Sequence, residues 1–492
     1  MHNIVHVNSL LLIAASVLFG VIFGAIPGLT ATLGIALLLP FTYEMGPYNG
    51  LACLLGIYVG ATSGGLISAT LIGIPGTGAS IVTTFDGYPM AQQGKANQAL
   101  SLGCFSSFVG GVISMIMLML ISPLLARLAL KFGPWEYFSL GIFGLTIVVS
   151  ISSKNLIKGL LAGSLGVAIT LPGQDPLVAI PRYAFGFTQM EGGFALLPTL
   201  LGFFAITQLF GDVESVAEQF SVIRFDPKYR IFPPLAIVRT SIGNFIRSSL
   251  LGTWIGILPG AGGSIASFLA YDQAKKASKT PEAFGTGHYE GVIASETANN
   301  AVTGGALIPL MTLGIPGDMV TAVILGGLLI HGLRPGPMLF QDNADVVGSI
   351  FVALFIANVM MFILQSGLMR FFAKIILVPK HILLPIVGIM CVVGTYSVNN
   401  RIFDLWVLII FGFVGYILIK NKFNLGPIVL GYILGPLIET NWRLGLMAAR
   451  GDYLPFLTRP LSALLLVMAL GSILFPVIMS KFGNKKNHAQ RA

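Results

Sequence analysis

The stretch GIPGTGAS at residues 73–80 decides how this chain is read, because a shorter copy, GIPGD, recurs at 314–318. Both lie inside long apolar runs. In hydrocarbon, a backbone group freed from its helix costs several kcal/mol unless protein or a water-filled cavity satisfies it. Proline removes a donor and glycine gives up helical stability, so each Gly-Ile-Pro-Gly marks a helix broken where it borders a cavity. A phosphate-binding loop is excluded for 73–80, since no Lys follows the last glycine and no strand precedes it.

The flanks give the class. Hydrophobic residues make up 55% of the 492 and charged residues 10%, with a mean hydropathy of +0.86, whereas a soluble chain is about 25% charged. Residues 1–43, 45–85, 96–126 and 248–271 contain no Asp, Glu, Lys or Arg, and about 20 apolar residues suffice to cross a bilayer. The expected fold is all-α and polytopic, with about 12 transmembrane helices plus re-entrant pieces. The N-terminal run is read as a retained first span. The net charge of +9 is spread over loops and tail, which fits topological use of Lys and Arg and not nucleic-acid binding. Cys53, Cys104 and Cys391 have no metal-ligand spacing. No polar stretch is long enough to bury a separate enzyme domain.

The chain also repeats itself. GAIPGLTATLG (24–34) matches GILPGAGGSIA (256–266) at an offset of 232. ATSGGLISATLIGIPG (61–76) matches AVTGGALIPLMTLGIPG (301–317) with one inserted residue, the offset rising from 240 to 241. Two matches in one order at nearly one spacing argue for duplicated halves. The division expected is a first membrane repeat at 1–210, a basic cytoplasmic linker at 211–240, a second repeat at 241–450, and a closing helix with a basic cytoplasmic tail at 451–492. Counting spans back from that tail, with Lys154 and Lys158, Arg224, Lys228 and Arg230 marking inside loops, sets equivalent loops on opposite sides. That is an inverted-topology repeat.

Pro-Gly breaks fall at 27–28, 75–76, 259–260 and 316–317. Broken helices at corresponding places in two halves point to a midplane substrate site, where half-helix N-termini favour anions. The substrate-binding candidates are Gly28, Thr30, Gly76, Thr77, Gly78, Ala79, Ser80, Gly260, Gly262, Gly263, Ser264, Asn300 and Thr303. Glu296, Asn299, Asn300 and Thr303 share one face if 293–304 is helical. Glu296, Asn299 and Asp318 are therefore candidates for ion coupling, through sodium coordination or a carried proton. The competing readings are glycines as packing notches, Glu296 as a helix-end residue, Asn299 and Asn300 as interhelical bonds, and Asp86 as a cap or turn residue. No catalytic constellation appears, so no enzyme activity, cofactor or metal beyond a sodium ion is expected.

With these residues in view, GAIPGLTATLG, LIGIPGTGASIVTTFDGYPMAQQGKANQAL, LPGAGGSIASFLAYDQAKK and ASETANNAVTGGALIPLMTLGIPGDMVTAVILGGLLIHGLRPGPMLF resemble the large membrane subunit of the tripartite tricarboxylate transporters. The resemblance runs from about residue 10 to 470. It implies a bacterial inner-membrane permease of about 12 helices, partnered by a smaller membrane subunit of roughly four helices and a periplasmic solute-binding protein. It further implies uptake of citrate and other di- and tricarboxylates on an ion gradient. An elevator-type alternating-access motion is the expected mechanism; a channel with glycine-broken pore helices is the alternative.

Overall fold

The computed structural model describes residues 6–152, 155–214, 223, 231–376, 378 and 380–489. Lys154, Arg224, Lys228 and Arg230, on which part of the expected orientation rests, lie outside the described residues. The protein is an all-α polytopic membrane protein. Among the described residues, eight helical segments are long and apolar enough to cross a bilayer, and three shorter apolar helices accompany them. The strand content among the described residues is one two-residue antiparallel ladder, Gly173–Gln174 with Pro181–Arg182.

Internal contacts divide the chain into two compact units, each drawing on both halves of the sequence: 1–127 with 196–416, and 128–195 with 417–492. The second unit packs the helices Pro134–Ser152, Leu156–Ile169, Leu425–Ala448 and Pro460–Ala489. Its ladder-bearing loop is braced by charge: Arg182 pairs with Glu439 through both guanidinium nitrogens, and Arg443 reaches Asp175 at 2.5 Å.

The first unit carries the Pro-Gly breaks. Its first series is α1 (Val7–Ala25), α2 (Ala31–Thr42), α3 (Gly46–Leu71), α4 (Ile81–Met90) and α5 (Ala96–Ala129). Its second is α6 (Ile242–Ile257), α7 (Gly262–Ala277), α8 (Tyr289–Leu313), α9 (Met319–Ile330) and α10 (Ala344–Gly367). In each series the first and third helices run the same way and touch backbone to backbone, while the helix between them doubles back after its break. Glycine permits this approach. A methyl added at Gly20 would lie 2.5 Å from the Ile57 carbonyl oxygen, and one at Gly252 would lie 2.4 Å from that of Ala298. Gly64 stands 2.5 Å from the Val21 oxygen on the same measure, and Gly305 2.4 Å from that of Thr253.

The second breaks close onto the first in matching fashion. A Cβ at Gly76 would sit 2.0 Å from the Gly24 oxygen, and one at Gly317 2.4 Å from the Gly256 oxygen. These contacts correct the repeat alignment. Ile57 pairs with Ala298, Gly64 with Gly305 and Gly76 with Gly317, so the offset is 241 throughout this second match and no residue is inserted in it. The sequence reading gained its spurious insertion by aligning the two adjacent glycines of each half one step out of register.

Polar side chains fasten the buried helices across the series. Glu296 on α8 is fully buried and accepts from Thr83 Oγ1 of α4 at 2.5 Å and Ser107 Oγ of α5 at 3.1 Å. Asp86, expected as a cap or turn residue, lies within α4 and receives a different set of donors. Its Oδ1 accepts from the N–H groups of Gly285, Gly287 and His288 at 2.8–2.9 Å, and its Oδ2 from the Tyr271 hydroxyl at 2.8 Å. The loop between α7 and α8 is thereby clasped to α4.

Candidate functional site

The breaks of the two series meet. The nearest atom to a Cβ placed at Gly78 is Ser264 Oγ, at 3.3 Å, and a Cβ at Gly263 would stand 2.9 Å from that of Ala79. Around this junction lies a cavity of about 280 Å³, just below the roughly 300–1,000 Å³ typical of small-molecule pockets.

Four helix starts form its walls. Thr30, Ala31 and Thr32 come from α2; Thr77, Gly78 and Ala79 from the 3₁₀ turn that leads into α4; Ala261–Ser264 from α7; and Asp318, Met319 and Val320 from α9. Tyr58, Thr62, Asn299 and Val302 complete the lining from α3 and α8, with Gly260 at the turn before α7. Each helix start carries roughly half a positive charge from its unsatisfied N–H groups. No Lys, Arg or His side chain is among the lining residues. An anion held here is held by backbone amides, hydroxyls and helix ends.

Local sequence explains each start. Thr30 accepts from the Leu33 N–H at 3.1 Å as a conventional N-cap. Thr77 and Asp318 open α4's turn and α9 with the same exchange: the Thr77 N–H donates to Ser80 Oγ at 3.1 Å, and the Asp318 N–H donates to Thr321 Oγ1 at 2.9 Å. The Thr321 N–H returns a bond to Asp318 Oδ1 at 2.7 Å, and Tyr58 donates its hydroxyl to Asp318 Oδ2 at 2.6 Å. The start of α7 has no side-chain cap, and Gly262 there adopts φ 62°, a left-handed value that glycine takes without strain.

Of the residues expected from sequence, Thr30, Thr77, Gly78, Ala79, Gly260, Gly262, Gly263, Ser264, Asn299 and Asp318 line the cavity. Six others stand outside its lining. Gly28, at φ 97°, turns the chain from α1 into α2, and Gly76 lies against the Gly24 backbone. Ser80 bonds back to Thr77. Asn300 donates to the Glu296 carbonyl and Thr303 to that of Asn300, along their own helix. Glu296 faces Thr83 and Ser107. Sequence reasoning missed Thr32, Tyr58 and Thr62. Once the offset is 241, Tyr58 falls opposite Asn299 and Thr62 opposite Thr303, a signal that the corrected register would have supplied.

Comparison with known proteins agrees with this architecture. Residues 10–430 match the model of the Tripartite tricarboxylate transporter TctA family. The uncharacterized 52.8 kDa protein in the TAR-I ttuC' 3' region of Agrobacterium vitis is 35% identical over 468 residues, covering 94% of this chain and 93% of that protein. An uncharacterized protein in the TAR-II ttuC' 3' region of the same organism is 38% identical over 233 residues, 47% of this chain and 96% of its own length. No solved structure matches. A family match over most of the chain, together with a relative aligned nearly end to end, settles kinship: the chain belongs to the TctA family, as a membrane-spanning permease subunit of the tripartite tricarboxylate transporter type.

Proposed function

We propose that the cavity is the substrate site of a secondary active permease importing di- and tricarboxylates of the citrate kind. The substrate arrives from a periplasmic solute-binding protein, a small membrane subunit completes the complex, and a sodium or proton gradient drives uptake across the inner membrane. The observation that carries this reading is the convergence of four helix starts on one small cavity with no cationic side chain. Amides and hydroxyls there bind a carboxylate without the deep electrostatic trap that lysine or arginine would set, so release is possible at the other face.

An elevator-type motion is the form of transport proposed here. Duplicated halves that exchange conformations support alternating access of this kind. Reconstitution of the permease with its small subunit and binding protein tests the proposal. Saturable uptake of citrate or a four-carbon dicarboxylate that collapses with the imposed sodium or proton gradient is the expected result. Flux that is non-saturable and survives loss of both gradients would make the protein a channel.

A further inference from the structure

The cavity is built twice from the same backbone plan and differs in charge at one pair of positions. Thr77 and Asp318 stand 241 residues apart, each opens a helix, and each donates its N–H to a hydroxyl three residues on. One wall is therefore neutral, with Thr30, Thr32 and Thr77, and the other holds a carboxylate. We infer that the Asp318 wall is a monovalent-cation site, with oxygens of Asp318, Asn299 and Tyr58 as ligands, whose occupancy allows a substrate carboxylate to bind at the neutral wall. This rests on the reading of the cavity as a carboxylate site and assigns its co-ion.

The Asp318 carboxyl is surrounded by groups that donate to it: the Thr321 N–H and hydroxyl, each at 2.7 Å, and the Tyr58 hydroxyl at 2.6 Å. Asn299 supplies the independent observation. It is 2% exposed, its Nδ2 is committed to the Thr62 carbonyl at 3.1 Å, and its Oδ1 takes no hydrogen bond from any described residue. That oxygen lies beside Gly263, 2.6 Å from where a Cβ would stand, on the cavity lining. An amide oxygen that takes no hydrogen bond, on the same cavity lining as a carboxylate and a phenol oxygen, makes a hard, oxygen-only donor set with one net negative charge. Such a set matches a sodium-sized monovalent ion. Left empty, the carboxylate repels an incoming anion; filled, its charge is neutralised and the helix starts around it can hold the anion. Glu296 is not part of this site, since its oxygens face Thr83 and Ser107.

The test uses the full chain in nanodiscs, titrated with sodium against choline at constant ionic strength and read by calorimetry, then with citrate. Saturable sodium binding is expected in the wild type, weakened at least tenfold by Asp318→Asn and several-fold by Asn299→Ala. Citrate affinity is expected to rise at least tenfold from choline to sodium in the wild type and to lose that dependence in Asp318→Asn. Asparagine retains the helix cap, so an unchanged melting temperature separates charge from folding; should that variant misfold, Asn299→Ala and Tyr58→Phe carry the test. Absent sodium binding in the wild type, or undiminished binding in the folded variants, overturns the site. Citrate uptake driven by a pH gradient without sodium binding would overturn the site and leave the carboxylate reading intact. Sodium binding as expected, with no carboxylate bound or transported, would do the reverse.

Discussion

The two series of helices around the cavity, α1–α5 and α6–α10, are alike in backbone and unlike at their caps. Gly20, Gly24, Gly64 and Gly76 repeat the contacts of Gly252, Gly256, Gly305 and Gly317, each pressing on a carbonyl or helix backbone of its own series. Where the first series has Tyr58 and Thr77, the second has Asn299 and Asp318. The difference teaches where freedom lies. Glycines packed against backbone leave no room for a side chain, whereas a cap position accepts Thr or Asp with the same geometry. Architecture resides in the glycines, and charge in the caps.

The largest expected effect tests the likeness. Gly76→Ala and Gly317→Ala each drive a methyl group into a backbone carbonyl, which no side-chain rotation relieves, and should cost at least about 3 kcal/mol. Yield and thermal unfolding in detergent should fall for both. If one variant is tolerated and the other is not, the two breaks are not equivalent.

Next in size is Thr77→Asp, which gives the neutral wall the charge of its counterpart. Aspartate caps as well as threonine, so the melting temperature should hold while carboxylate uptake drops at least tenfold; normal uptake would remove the distinction between the walls. Smaller still is Asp86→Ala. Losing a carboxylate that accepts three N–H groups and a phenol should destabilise the α7–α8 loop locally by about 1–3 kcal/mol. The change should appear as faster amide hydrogen exchange at 285–288 with little change near Gly260. Unaltered exchange there would show that the clasp contributes nothing.

The smallest effect is a control outside both walls. Arg443 and the Leu177 and Val178 N–H groups hold the Asp175 carboxyl at about 2, below its ordinary 3.8. A lowered folded value stabilises above the unfolded value and is lost as pH falls through the folded one. Proteolytic protection of the 171–195 loop should therefore be flat from pH 7 to 5 and weaken only below about pH 4. Loss of protection already at pH 6 would contradict that bracing.

The breaks, the duplication and the ten candidate residues that line the cavity were legible because proline and glycine in an apolar run have few cheap explanations. The remainder was hidden for physical reasons. α8 is buried on every side from Gly291 to Thr312, so helical spacing alone does not tell the wet face of Asn299 and Val302 from the face of Glu296 that fastens α4 and α5. Ser80 follows the break closely, yet its hydroxyl is consumed by the cap it makes with Thr77. Tyr58 reads as core in a run of apolar residues until the register is corrected, and its bond to Asp318 places it at the cavity.

The press of Gly76 on the Gly24 oxygen, matched by Gly317 on Gly256, also constrains how such a gene can diverge after duplication. Mutations that enlarge these positions remove the product before selection can weigh its cargo, so inherited variation is channelled into the cap residues beside them. Descendants of one ancestral half can then differ in charge at a single residue, as Thr77 and Asp318 do, while keeping a common skeleton.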